Sequence, residues 1–295
     1  MALSSKPSSV LVVGAGGVLG RAIVRILRAQ GVDVVAAFRT RRAGLKQTLA
    51  GWGAKPLQLD IDDSDATRRA LGEVDAAVFT PILTVSQSTA ALLGAGQRAV
   101  FFSSNNVAID PEAEVYGRLA KAEEVVLSAA PGAVILRPTM IYGYPGDGNI
   151  SRLIRFVRRS PILPLPGNGA ALQQPVYYRD LAKAAAQMAL DAAPSARSYT
   201  VAGPEAVSAR ALYDAVAHAA GARPFIAPMP FAALAPLLRG AEAIGVRLPV
   251  KAAQLARAAK DKSPPPEAAL ILGETSLAEG LAALTAALDD GLHGA

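Results

Sequence analysis

The sequence predicts an α/β protein: a doubly wound parallel sheet followed by a smaller, mostly helical lobe. Three observations predict it. Short aliphatic runs alternate with helical segments through the first half of the chain, the first run leads straight into Gly14, Gly17 and Gly20, and after Arg137-Pro138 the alternation gives way to Pro- and Gly-rich stretches. Alternation of this kind implies right-handed crossovers and a parallel sheet, whose ligands sit at the carboxyl ends of the strands.

The first strand, Val10 to Val13, is aliphatic throughout, as a central strand buried on both faces must be. It enters the run Gly14-Ala15-Gly16-Gly17-Val18-Leu19-Gly20. There the first glycine permits a sharp turn, the second clears the path of the backbone to a pyrophosphate, and the third lets helix and strand pack closely. A helix N-terminus then faces the anion with free N–H groups and a favourable dipole. Gly14, Gly16, Gly17, Val18, Leu19 and Gly20 are therefore the candidate phosphate-binding residues. The helix carries Arg21, Arg25 and Arg28 on one stripe and Ile23, Ile26 and Leu27 opposite it. Gly31 ends it, and Val34 to Phe38 completes a Rossmann-type βαβ unit of about 30 residues.

Pro56 to Leu59, Ala76 to Phe79, Ala99 to Phe102 and Ala133 to Leu136 are the next strands, and the residues that follow each are the ones to read. The second strand is followed by Arg39, with Arg41 and Arg42 close behind and no carboxylate, while Asp33 lies at the strand's far end. A ribose 2′-hydroxyl calls for a carboxylate there and a 2′-phosphate for a cation, so NADP(H) is preferred and NAD(H) remains possible. After the third strand, Asp60 is placed to accept from an adenine amino group and Ile61 to pack the ring, whereas Asp62 and Asp63 read as caps of the helix near Ser64. Thr80 and Pro81 follow the fourth strand and Ser103 and Ser104 the fifth.

Composition narrows the chemistry. The 295 residues contain no cysteine and two histidines, His218 and His293, which excludes disulfides, thiol catalysis and Cys-ligated metal and leaves no metal site to expect. The first apolar run is the strand feeding the glycine loop, not a secretory signal, and no stretch reaches transmembrane length, so a cytoplasmic protein is expected. A net charge of +6 suits an anionic partner. The arginines are scattered and no aromatic-rich nucleic-acid motif accompanies them, so a small-molecule substrate is expected and nucleic acid is not. The apolar segment Phe231 to Val250, with Arg239 and Glu242, reads either as core or as a peripheral membrane contact.

Beyond Pro138, helices are expected over Ser151 to Arg159, Asp180 to Leu190 and Ser208 to Ala220, with extended pieces at Gln174 to Tyr178 and Ser198 to Ala202. This places a dinucleotide-binding domain at residues 1–140, completed by strands from about 174–202, and a substrate lobe at 141–295. Arg152, Arg155 and Arg159 share a helical face and read either as a solvated stripe or as a clamp for an anionic substrate.

The glycine spacing, Arg39, Asp60-Ile61, Ser103-Ser104 and the run LRPTMIYG occur in an order that resembles the extended or atypical short-chain dehydrogenases/reductases. The chain is similar to the NAD-dependent epimerase/dehydratase, NmrA-like and NDUFA-type complex I subunit groups, over roughly Val10 to Ala220. The resemblance implies that Pro138 and Thr139 lie beside the nicotinamide and that the substrate lobe begins near Tyr142. It also implies that Gln174 to Asp180 returns the chain to the sheet, although Asp180 would equally serve as a helix cap. Active members use a Tyr and a Lys four residues apart, the lysine easing proton transfer by the tyrosine. Here the pair is Tyr116 and Lys121, with Ala120 in the lysine's place. Five residues put them about 140° apart on a regular helix, against about 40° for four. Gly117 suggests that Tyr116 lies at or before the helix start. Three readings stand: a π-bulge restores the pair, another donor such as Tyr142, Tyr177 or Lys121 alone serves a different geometry, or the dyad is absent. The first two give an oxidoreductase or epimerase-like enzyme, the third a non-catalytic NADP-binding regulator or assembly factor.

Overall fold

The computed structural model describes residues 6–40, 42–191, 194, 197–230, 232, 236, 240 and 260–293. Arg41 and, but for three residues, the segment Phe231 to Val250 lie outside them. The chain forms two compact units. The first comprises Met1–Pro138, Arg179–Val201 and Glu267–Ile271, and the second Thr139–Tyr178, Ala202–Pro266 and Leu272–Ala295.

In the first unit β1 (Ser9–Val13), α1 (Val18–Ala29), β2 (Asp33–Phe38), α2 (Leu45–Gly51), β3 (Lys55–Gln58), α3 (Ser64–Gly72), β4 (Ala76–Ile82), α4 (Leu83–Ser86), β5 (Arg98–Phe102), α5 (Asn106–Ile109), α6 (Glu114–Ala129) and β6 (Ala133–Pro138) follow one another, with a 3₁₀ turn over Gln87–Leu92. The second unit takes β7 (Ile141–Tyr142), α7 (Ile150–Val157), β8 (Ile162–Pro166), β9 (Leu172–Gln173) and β10 (Val176–Tyr177). The chain returns to the first for α8 (Tyr178–Leu190) and β11 (Ser198–Ala202), and leaves it for β12 (Val207–Ser208), α9 (Ala209–Ala219) and β13 (Phe225–Met229). It touches the first once more at β14 (Leu270–Leu272) and ends in α10 (Leu277–His293).

The eight strands of the main sheet lie in the order β14-β11-β6-β5-β4-β1-β2-β3. Those from β11 to β3 pair in parallel. The sheet order reverses beside β1, which places the glycine loop at the switch point where ligands bind in such sheets. Burial follows the aliphatic runs: Val10, Leu11 and Val12 are fully buried, and Phe79 and Phe101, partners in register on β4 and β5, stack with centroids 4.7 Å apart.

Among the described residues the second unit has three two-stranded pairs, β7 with β10, β9 with β12 and β8 with β13. α7, α9 and α10 contribute Ile154, Val216 and Leu284 to its core, all fully buried. Within the stretch Gln174 to Asp180 the first unit resumes at Arg179, but the strand there, β10, pairs with β7 in the second unit's own small sheet and not with the main sheet, which β11 joins instead. No helix among the described residues is long and apolar enough to cross a membrane.

Candidate functional site

The glycine loop leaves β1 through Gly14, whose φ of +83° is open to glycine and strained for other residues. The N–H groups of Gly14 and Ala15 both donate to the Ala37 carbonyl, at 2.9 and 2.8 Å, and Gly17 N–H donates to Gly14 O at 2.9 Å. A methyl group on Gly14 would overlap the Thr80 hydroxyl, and one on Gly20 would lie 2.8 Å from Ala15 Cα. At Gly16 a methyl would press to 3.3 Å on Leu45. Gly17 is the N-cap of α1, and neither a capping side chain nor an acidic residue occupies the first turn. Val18 and Leu19 are the first helical residues and are half-buried. Uncapped N–H groups, the positive end of the dipole and exposed Gly17 fit a pyrophosphate.

Around this loop the other expected cofactor residues are unevenly placed. Arg39 and Arg42 are exposed beyond β2, while Asp33 is ion-paired with Arg28 at 3.1 Å at the opposite end of that strand. Gln58 Nε2 donates to the Arg39 carbonyl at 3.4 Å. Asp60 is exposed, one of its carboxylate oxygens accepting from Asp62 N–H at 3.3 Å, and Ile61 packs on the core. Asp63 caps α3, accepting from Ala66 N–H at 3.0 Å, and Asp62 is not the cap. Thr80 and Pro81 lie within β4, not after it, because the strand continues through an irregularity to Ile82. The Thr80 hydroxyl donates to Val13 O at 2.9 Å, which makes it a tie between β4 and β1. Ser103 is 2% exposed, and its hydroxyl has no hydrogen-bond partner among the described residues. Pro138 ends β6, and its carbonyl accepts from Asn105 N–H at 3.0 Å.

Tyr116 is the third residue of α6, which runs as a regular α-helix from Glu114, so neither the π-bulge nor a helix start at or beyond Tyr116 is present. Tyr116 and Ala120 pack on the same core cluster and Lys121 is exposed, as the five-residue spacing requires. In the lysine's absence, Asn106 Nδ2 donates to the Tyr116 hydroxyl at 2.9 Å. α6 is fixed to the sheet by Glu123, whose carboxylate takes both Nε and Nη2 of Arg137 from β6. Asn105, 2% exposed, accepts from the Thr200 hydroxyl at 3.4 Å, tying the turn after β5 to the middle of β11. Sequence reasoning missed Asn105, Asn106 and Glu123. The signal for the first two was two amides directly after Ser103-Ser104, and for the third an Arg within LRP that needs a buried partner.

In the second unit Tyr142 is 1% exposed, edge-on to Tyr177 at 5.7 Å, with its hydroxyl against Gly280 and 3.5 Å from Ser276 O. Tyr142 and Tyr177, the latter 7% exposed, both belong to that unit's hydrophobic core. The Thr139 hydroxyl donates to Gln174 O at 2.5 Å. The arginine clamp is not assembled: Arg155 donates to Pro145 O at 2.5 Å, and Arg152 and Arg159 are exposed. Asp147 accepts from the N–H groups of Asn149 and Ser151, both at 2.9 Å, at the start of α7. Burial, and then the Asp147 charge, pushes the Tyr144 phenol up, and burial pushes Tyr213 to about 12. Neither yields its proton readily at neutral pH. Among the described residues no group of three or more His, Asp or Glu could hold a metal.

Residues 6–114 match the NmrA-like family. Over 232 residues the chain is 27% identical to the mitochondrial NADH dehydrogenase [ubiquinone] 1 alpha subcomplex subunit 9 of Arabidopsis thaliana, covering 70% of this chain and 57% of that protein. Over 177 residues it is 30% identical to a ceramide reductase of Caulobacter vibrioides, covering 53% of each. The chain thus spans little more than half the length of these two relatives. Its fold is that of dTDP-glucose 4,6-dehydratase from Bacillus anthracis, solved with NAD, at a TM-score of 0.70, 11% identity and 97% coverage of both chains.

Proposed function

We propose that this chain, which is similar to the extended short-chain dehydrogenase/reductase-like group, is an NADP(H)-dependent oxidoreductase or epimerase-like enzyme acting on a small carbonyl, enone, quinone or sugar-like substrate. One observation carries the reading: an uncapped helix N-terminus beneath a loop in which Gly14 and Gly20 admit no side chain, with Arg39 and Arg42 and no carboxylate beyond β2. The bound dinucleotide supplies or accepts a hydride. The chain's residues do the remaining work. The backbone from Gly14 to Gly20 holds the pyrophosphate, and Arg39 makes a charge-assisted contact with the 2′-phosphate. The buried Ser103 hydroxyl, without a partner of its own, holds the substrate oxygen. Tyr116 moves the proton.

A second reading has a specific observation behind it. Lys121 faces away from Tyr116, and the chain resembles a subunit of a large assembly, which favours a non-catalytic NAD(P)-binding protein. Titration with NADPH and NADH, followed by a screen of NADPH oxidation against carbonyl compounds, separates the two. Turnover with any of them supports the enzyme. Tight binding with no turnover across the panel supports the subunit, and tighter NADH than NADPH binding overturns the NADP(H) assignment.

A further inference from the structure

We propose that Asn106 takes the part of the missing lysine as the positioning residue for Tyr116, an inference that rests on the reading of Tyr116 as the proton-transferring group. The geometry is local to the first unit. Asn106 opens α5 four residues beyond the last residue of β5, so its amide stands at the carboxyl edge of the sheet, the edge from which the glycine loop also leaves β1. Its Nδ2 reaches the Tyr116 oxygen at 2.9 Å and draws the phenol to that edge. In this bond the phenol oxygen is the acceptor, so the proton on that oxygen is not consumed by it.

The chemical consequence follows from which form of tyrosine the amide favours. When Tyr116 gives its proton to a substrate oxygen, the Tyr116 O–H bond breaks and an O–H bond forms on the substrate. The negative charge stays on the phenolate, and solvent returns the proton afterwards. An N–H aimed at that oxygen strengthens its hydrogen bond as the charge develops. An ammonium group would do more, but the only lysine of α6 is exposed on another face. The other charges near Tyr116 do not substitute for it. α4 and the following 3₁₀ turn carry none, Arg137 is committed to Glu123, Glu114 pairs with Arg118 on the exposed side of α6, and Asp110 and Glu112 bear the wrong sign.

The test compares the full-length wild type with Asn106→Leu and Asn106→Asp in two ways: the ¹³Cζ NMR shift of Tyr116 at neutral pH, with Tyr116→Phe assigning the resonance, and NADPH oxidation with a carbonyl compound that the wild type turns over. Removing the donor in Asn106→Leu is expected to move the Tyr116 resonance and to lower kcat about tenfold with KM within a few-fold. Asn106→Asp, which keeps the shape and places a negative charge beside the oxygen, is expected to lower kcat further. A packing role would not order the three proteins in this way. An unmoved Tyr116 resonance in Asn106→Leu, or kcat in Asn106→Asp equal to that of the wild type, overturns the proposal. NADPH and NADH binding is measured on the same samples. Failure of the wild type to bind either would instead sink the dinucleotide reading, while the Tyr116 resonance still decides the pair.

Discussion

On the proposed NADP(H) reading, cofactor choice turns on Arg39, because the end of β2 offers exposed guanidinium groups at 39 and 42 and no carboxylate to accept from a ribose hydroxyl. A charge-assisted contact of this kind contributes about 1.5–3 kcal/mol. Arg39→Glu is therefore expected to weaken NADPH binding roughly tenfold to a hundredfold while leaving NADH binding within a few-fold. Fluorescence titration with each dinucleotide checks it, and equal losses for both would show that Arg39 does not read the phosphate. Asp75 acts at the same scale on stability. One carboxylate oxygen accepts from the N–H and hydroxyl of both Ser8 and Ser9, at 2.8 to 3.0 Å, tying the start of β1 to the loop before β4. These bonds, the Ser8 hydroxyl foremost, hold the carboxyl below its ordinary value of 3.8. The native state thus favours the ionised form. Its contribution is fully present above the ordinary value and is lost as pH falls through the lower native one. The site is exposed, so the gain is about 1 kcal/mol or less after screening. Asp75→Asn should lower the melting temperature by about 1–2 °C at pH 7 and by progressively less towards pH 3.

At the scale of elements, α6 carries Tyr116 on its first turn and is held to β6 by the Glu123–Arg137 pair. Glu123 is 3% exposed, so removing it leaves a half-buried guanidinium without its carboxylate. Glu123→Leu is expected to cost about 3 kcal/mol, and the double variant Glu123→Leu/Arg137→Leu to recover most of that loss. Urea unfolding of the two variants decides it, and a double variant no more stable than the single one would show that the pair's charges are not the cause. Much of this element scale was legible in the sequence. Five strands of the main sheet, β1, β2, β4, β5 and β6, announce themselves as apolar runs because a sheet covered on both faces leaves their centres little room for polar residues. Gly14 and Gly20 could be read because their places admit no side chain. The Asn106–Tyr116 bond was not legible, since it joins the start of α5 to α6, ten residues on, and leaves no periodic trace. Val176-Tyr177 misled for a related reason. Two apolar residues in an extended stretch suit a small peripheral sheet as well as a large central one, and only the partner, β7, distinguishes them.

At the scale of the whole molecule, the first unit is assembled from three separated stretches of chain, and the third of these supplies an edge strand from beyond residue 266. A division near residue 140 describes where the regular alternation ends but not where the first unit is complete. β11 pairs along β6 from Ser198 to Val201, and the Arg197 guanidinium donates to the carbonyls of Leu127 and Ala130 at the end of α6. α8 contributes Leu181, Ala182, Ala185 and Ala186, all fully buried. A fragment ending at residue 140 would keep the glycine loop and Arg39, yet β6 would become a long apolar edge with Ile135 and Leu136 stripped of their cover. That fragment is expected to aggregate or to unfold without a cooperative transition, and to bind neither NADPH nor NADH. The full chain should unfold cooperatively and bind. If the fragment instead gave a single sharp urea transition and full-chain affinity for the dinucleotide, the contributions of α8, β11 and β14 to the first unit would be dispensable. Phosphate recognition would then reside wholly in the stretch from β1 to β6.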